Sequence, residues 1–361
     1  LKLCKMLAAC LLLVVAHELI DVPPGETRRP AGVNGDTHTR LVERVIQALP
    51  QKEPGGLTYR RPIGGSELGH HGSILLFDHQ GPSKLAPGAN AGSADHPHRG
   101  YCTITYVLKG GIQHKETRGS SGELSPGWLQ YLCAGSGIIH SEEPADNLRR
   151  KGGELEVFHL WLNLPNARKM MPAVLDDVNP SRMPWVEGDG WAAKVLIGEA
   201  WGVTSPVATH TEDLGHTVKM LDVRVSKGSS LSVDVAGHLT GFAYCYRGQG
   251  YIGSTLVRVG YTALLYDGEF DVQATRVTIR ATSTELRVIV AAATEMKEPV
   301  VRQGPFIMTS HDDISASIND FRAGKLAPHH ATYHQERELR ADRTRRDSSH
   351  FGRWDVEHHE L

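Results

Sequence analysis

Apolar residues along this chain fall into two regimes. From Thr37 to Leu49, the residues Leu41, Val42, Val45, Ile46 and Leu49 repeat at helical spacing and Pro50 stops the pattern. That predicts a short amphipathic helix. From Leu57 onward the pattern changes to short apolar runs separated by Gly, Pro, Asn and Asp, the signature of strands and turns. Ser73 to Phe77 reads as a strand and Gly81 to Gly92 as a loop. Tyr101 to Leu108 alternates and ends at Gly110-Gly111, a hairpin signal. Ile112 to Glu116, Trp128 to Cys133 and Glu156 to Leu162 complete the first set.

The second half repeats the theme. Val218 to Val225, Ser230 to Val235, Gly241 to Tyr246, Thr262 to Tyr266, Val277 to Ala281 and Leu286 to Ala291 read as strands. The segment Gly241 to Gly250 is a faint echo of Gly100 to Gly111, so the chain reads as two related β-barrels in tandem. A helix is predicted over His311 to Arg322, with Ser310 as N-cap, Asp313 three residues on, Ile314, Ile318 and Phe321 on one face, and Gly324 as the stop.

Chemistry concentrates between Asp95 and Glu142. His96-Pro97-His98 and His140-Ser141-Glu142 each place two metal-capable side chains at i and i+2, which on a strand share one face. Facing strands would bring three imidazoles and one carboxylate to a point. Such a set leaves positions open on an octahedral ion, which favours iron over a closed structural zinc. Twenty histidines make chance pairs cheap, as His70-His71 and His358-His359 show. Two i,i+2 pairs, each beside turn glycines, are much harder to obtain by accident. The echo in the second half offers only His238, so the second barrel is expected to hold no metal.

Composition narrows the class. At 361 residues, with 40% hydrophobic and 22% charged residues, the chain suits a globular protein with a sizeable core. A net charge of −2 gives no basic face for direct nucleic-acid binding. Five cysteines without a CxxC indicate neither a zinc ribbon nor a disulfide framework, and a Cys102–Cys133 contact is left open. A reducing, cytoplasmic or nuclear setting is the simpler expectation. The alternative is secretory or organellar targeting, because Lys2 and Lys5 precede an apolar run from Met6 to Ala16 with the length of a signal core. That run is too short for a membrane span. Val22 to Asn34 reads as linker, and the mixed-sign stretch from Glu336 to Glu360, with Arg345-Arg346, reads as solvated tail.

The motifs His96-Pro-His-Arg-Gly-Tyr-Cys-Thr-Ile-Thr-Tyr-Val-Leu-Lys-Gly-Gly111, Ser125-Pro-Gly, Ala134-Gly-Ser-Gly-Ile-Ile-His-Ser-Glu142 and Gln303-Gly-Pro-Phe-Ile-Met308 resemble the signature of the pirin family, over about residues 57 to 324. The resemblance implies an all-β chain of two tandem cupin (β-barrel or jelly-roll) domains with a short C-terminal helix. The expected division is an extension at 1–56 with the apolar run, linker and short helix, a metal-binding barrel at 57–165, a barrel without metal at 190–324, and a charged tail at 325–361. It also implies one mononuclear ion, usually iron (Fe2+ or Fe3+, with other divalent metals able to replace it), on His96, His98, His140 and Glu142. Cys102 departs from the family pattern, which commonly has a carboxylate there; its loss should leave the ion bound while changing nearby polarity. Two roles follow from the resemblance. One is quercetin 2,3-dioxygenase activity on a flavonol and O2, with Glu142 as the proton-accepting group. The other is a metal-dependent cofactor that binds a transcription regulator. Gln130, His114 and Glu116 are expected near the site, with a plain core or surface role the default for each.

Overall fold

A computed structural model describes residues 39–212, 215–265 and 275–326. The apolar run Met6–Ala16, the linker Val22–Asn34 and the charged tail beyond Leu326, with its Arg345-Arg346 and His358-His359 pairs, lie outside the described residues. Among the described residues no helix is long and apolar enough to cross a membrane.

The molecule is built almost entirely from antiparallel strands in two repeats of one plan, a seven-stranded sheet facing a four-stranded one. In the first repeat the large sheet runs Val174–Val178, Leu129–Cys133, Tyr101–Lys109, Gly153–Asn163, Ile74–Leu85, Thr58–Ile63 and Gln51–Lys52. Its small sheet runs Ser93–His98, Ile138–Pro144, Ile112–Glu116 and Ser121–Leu124. The second repeat has the same order, with Leu239–Arg247 and Leu286–Thr294 at the centre of the large sheet. Its small sheet is Ser230–Asp234, Arg276–Ala281, Gln249–Ile252 and Thr255–Arg258. The tandem all-β reading holds, as does the helix His311–Arg322, capped by the Ser310 hydroxyl accepting from the Asp313 N–H at 3.1 Å.

The two large sheets pack back to back. Alternation sends Ile104, Tyr106, Phe158 and Leu160 outward from the first barrel onto Met220, Phe242, Tyr244 and Ile289 of the second, making one apolar core between them. Phe77 sits at its centre, with ring centroids 4.8 Å from Phe242 and 5.6 Å from Phe158. Polar groups buried here are paired. Glu156 accepts from Arg247 at 2.5 Å and lies 3.0 Å from His79 Nε2, and Asp222 accepts from Tyr106 and Tyr246.

The expected helix at 37–49 is instead the strand Val42–Gln47, which adds to the edge of the second barrel's large sheet against Tyr261–Leu265. A register shift between Val42 and Arg44 breaks the two-residue alternation and produces the helix-like spacing. The β-branched Val42, Val45 and Ile46 suit the pleat, and Ile46 reaches the core between the barrels. The loop expected at Gly81–Gly92 is also shorter, because strand Ile74–Leu85 continues through Gly81 and Pro82 to pair Ser83 with Leu155.

The last described segment packs on the opposite barrel from the one that precedes it. Hairpin Val301–Gln303 and Phe306–Met308, followed by helix His311–Arg322, docks against the first barrel through Ile139, Phe306, Met308, Ile314 and Leu326. Gly100 has φ +89°, and a Cβ there would stand 2.0 Å from the Ile307 carbonyl oxygen, so only glycine admits this approach. Arg99 fastens the contact. Its Nε donates to the Ser136 carbonyl at 2.6 Å and its terminal nitrogen to Asp320 at 3.0 Å.

Candidate metal centre

The small sheet of the first barrel explains the convergence of the ligand candidates. Ser93–His98 and Ile138–Pro144 are antiparallel neighbours with His140 directly opposite His96 and Ile138 opposite His98. Opposed residues share a face, and the i,i+2 spacing puts His98 and Glu142 on that same face. The ligand-capable atoms of His96, His98 and His140 lie within 4.8 Å of one another, the one group of three among the described residues that meets in this way. Glu142 joins them, its Oε2 being 3.8 Å from His140 Nε2. All four residues read from spacing are therefore brought together.

The electrostatics suit a cation. Nε2 of His98 and Nε2 of His140 are buried without a hydrogen-bond partner, which in a native interior calls for a ligand. Burial drives His98 well below the usual imidazole range and His140 down to about 3, so both rings stay neutral, the form that binds a metal. Burial raises Glu142, but the imidazoles of His140, His159 and His96, wherever they take up a proton, and the Thr105 hydroxyl outweigh it and bring the carboxyl down to about 2, so it stays ionised beside neutral rings at pH 7. Three neutral nitrogens and one carboxylate form a donor set that fits a single divalent ion.

Neighbours fix the rings. The Tyr101 hydroxyl is hydrogen-bonded to His98 Nδ1, and His96 Nδ1 is 2.7 Å from the Ala94 carbonyl oxygen. Each bond leaves the other nitrogen facing the centre. Thr105 donates to Glu142 Oε1 at 3.2 Å and lies 3.0 Å from His159 Nδ1. Tyr101, Thr105 and His159 were not singled out in the sequence. The alternation of Tyr101–Lys109 and Gly153–Asn163 is the signal that would have found them, since it puts all three on the barrel interior.

The other named residues are placed differently. His114 and Gln130 both bond Asp177, at 2.7 Å and 2.9 Å. Glu116 accepts from the backbone N–H groups of Arg118 and Ser120, closing a turn. Cys102 and Cys133 stand opposite each other on adjacent strands with their sulfurs bonded, on the face turned to the second barrel rather than to the histidines. In the second barrel the strands equivalent to those of the candidate ligands place Leu231, Val233, Val277 and Ile279 in an apolar cluster, and among the described residues no group of three metal-capable side chains meets there. His238 is exposed.

A double-stranded β-helix plan used twice, with one histidine-rich interior, defines a bicupin. The Pirin family profile matches residues 56–162, and that of the Pirin C-terminal cupin domain matches residues 220–327. Pirin of Rattus norvegicus is 33% identical over 295 residues, covering 80% of this chain and 94% of the relative. The chain belongs to the pirin family. Among solved structures, quercetin 2,3-dioxygenase from Acinetobacter baumannii aligns with a TM-score of 0.72 at 23% identity, covering 80% of this chain and 98% of that one. The bacterial pirin YhhW from Escherichia coli, solved in complex with nickel(II), aligns at 0.53 and 14% identity over 70% of this chain and 99% of that one. At these identities both structures speak for the fold.

Proposed function

We propose that this chain is a mononuclear metal bicupin, with iron the resident ion, that cleaves flavonols in the manner of a quercetin 2,3-dioxygenase. The observation that carries the reading is the convergence of three neutral imidazoles and one ionised carboxylate inside a buried barrel. His96, His98, His140 and Glu142 would hold the ion, which when bound supplies a Lewis acid and template for a chelating substrate and O2. The family relationship and the fold shared with the Acinetobacter baumannii enzyme support the same reading.

The chain's own groups supply the rest. Glu142 is the acceptor for the flavonol hydroxyl proton; its strongly acidic carboxyl makes it a weak base, so the substrate must be acidified by its own binding for the transfer to proceed. Thr105 steadies the carboxylate through its hydroxyl. Tyr101, Thr103, His98 and His140 are all nearly or fully buried, which keeps bulk water from the reacting ring. The test is aerobic turnover of quercetin by protein fully loaded with iron, followed by carbon monoxide release and loss of flavonol absorbance. Full loading without turnover would refute the enzymatic reading and favour the binding role.

A further inference from the structure

The barrel wall facing the ligand strands carries polar groups that the ligand set does not use. On strand Tyr101–Lys109 the inward residues are Tyr101, Thr103 and Thr105, and across the ladder stand Asn163, Trp161 and His159. Tyr101 holds His98 and Thr105 holds Glu142, so Thr103 lies between the two anchoring points. The Thr103 hydroxyl and the Trp161 indole N–H are buried without a partner. The Trp161 ring centroid is 5.5 Å from that of His98 and 6.3 Å from that of His159.

His159 has a defined orientation. Thr105 has one hydroxyl proton and gives it to Glu142, so His159 Nδ1–H must donate to the Thr105 oxygen. The other ring nitrogen, Nε2, is then the one turned away from Thr105, with the Trp161 ring centroid 6.3 Å from that of His159. The equivalent wall of the second barrel is Ala243, Cys245, Val290 and Ala292, so among the described residues it has no counterpart of the Thr103 hydroxyl or the Trp161 indole N–H. Buried polar groups left unpaired in a native interior call for a ligand or ordered water.

We propose that Thr103, Trp161 and His159 form the substrate-recognition wall of this site. His159 Nε2 accepts from a phenolic hydroxyl, Trp161 N–H donates to a ring oxygen or carbonyl, and the Thr103 hydroxyl bonds a further oxygen. The class of ligand selected is a planar aromatic with several oxygen substituents. This rests on the flavonol reading above and adds which residues of this chain choose the substrate.

The experiment uses full-length protein loaded with zinc, which cannot cycle redox states, and titrates quercetin anaerobically by absorbance. His159→Leu and Thr103→Val are each expected to weaken quercetin binding about tenfold, while His159→Gln, which keeps an acceptor, stays within about threefold of wild type. Zinc content and zinc affinity in competition with a chelator should be unchanged in all three. Thr103→Val keeps the β-branched shape and so reports even where His159→Leu fails to fold. Wild-type affinity in Thr103→Val and in a folded His159→Leu overturns the recognition wall alone. Lost zinc affinity overturns it by assigning these groups to the ion. Absence of quercetin binding by zinc-loaded wild type overturns the flavonol reading and the wall with it.

Discussion

Replacing Lys169 with methionine tests the tie between the C-terminal hairpin and the first barrel. Lys169 is 1% exposed, and its ammonium donates to the Gly100 carbonyl at 2.9 Å, to Asn163 Oδ1 at 2.7 Å and to the Ile307 carbonyl at 3.1 Å. Burial pulls its pKa from 10.5 down to about 8, against the opposing pull of Glu298 and Asp313. Three charge-assisted bonds contribute about 1.5–3 kcal/mol each, and burying the charge costs about 3 kcal/mol. Lys169→Met should therefore destabilise the metal-free protein by about 2–5 kcal/mol at pH 7. The pH dependence follows from the same numbers. Between pH 8 and 10.5 the unfolded chain keeps a proton that the folded chain has released, so wild-type stability rises with pH across this window. The variant lacks this component, and the gap between the two proteins should widen by about 2–3 kcal/mol at pH 10. Urea unfolding of both proteins at the two pH values measures it. A loss under about 1 kcal/mol at pH 7, with a gap that does not change with pH, would refute the reasoning.

Other expectations are independent of Lys169. Phe77→Ala opens the core shared by the barrels and should cost about 3–5 kcal/mol in urea, with a single transition retained; two separated transitions would show that the barrels unfold apart. His216 is buried with both ring nitrogens unpartnered, and burial lowers its pKa to about 4. The unfolded chain then binds its proton first, so stability falls by about 3 kcal/mol as pH drops from 6.5 to 4 and levels off below; a His216→Phe variant with the same acid slope would contradict this. His238→Ala should leave metal content unchanged by elemental analysis, since the second barrel's interior is apolar.

The parts of the fold that could be read in the sequence are those whose signals are local. Ile112–Glu116 alternates cleanly, Val218–Val225 is an apolar-rich β run bounded by polar residues, and His311–Arg322 carries its own cap and stop, so their limits are legible residue by residue. The candidate quartet was legible because strand geometry converts an i,i+2 spacing directly into a shared face. Val42–Gln47 was misread because a register shift gave it helical spacing, and its partner strand lies more than two hundred residues away. The docking of the C-terminal hairpin was invisible for the same reason, since Arg99 and Asp320 meet only in the folded chain. His159 was missed because strand alternation marks only that it faces inward; its role depends on Thr105, which the neighbouring strand brings beside it.

The central claim is that four side chains from two strands of the leading barrel hold one ion. Elemental analysis of wild type beside His98→Ala, each purified and reconstituted with ferrous iron under argon, tests it most directly. One iron per chain in wild type and well under a tenth in the variant, at unchanged far-UV circular dichroism, is the expected result on the basis of losing one of four ligands. Stoichiometric iron retained by a folded His98→Ala protein would contradict the account.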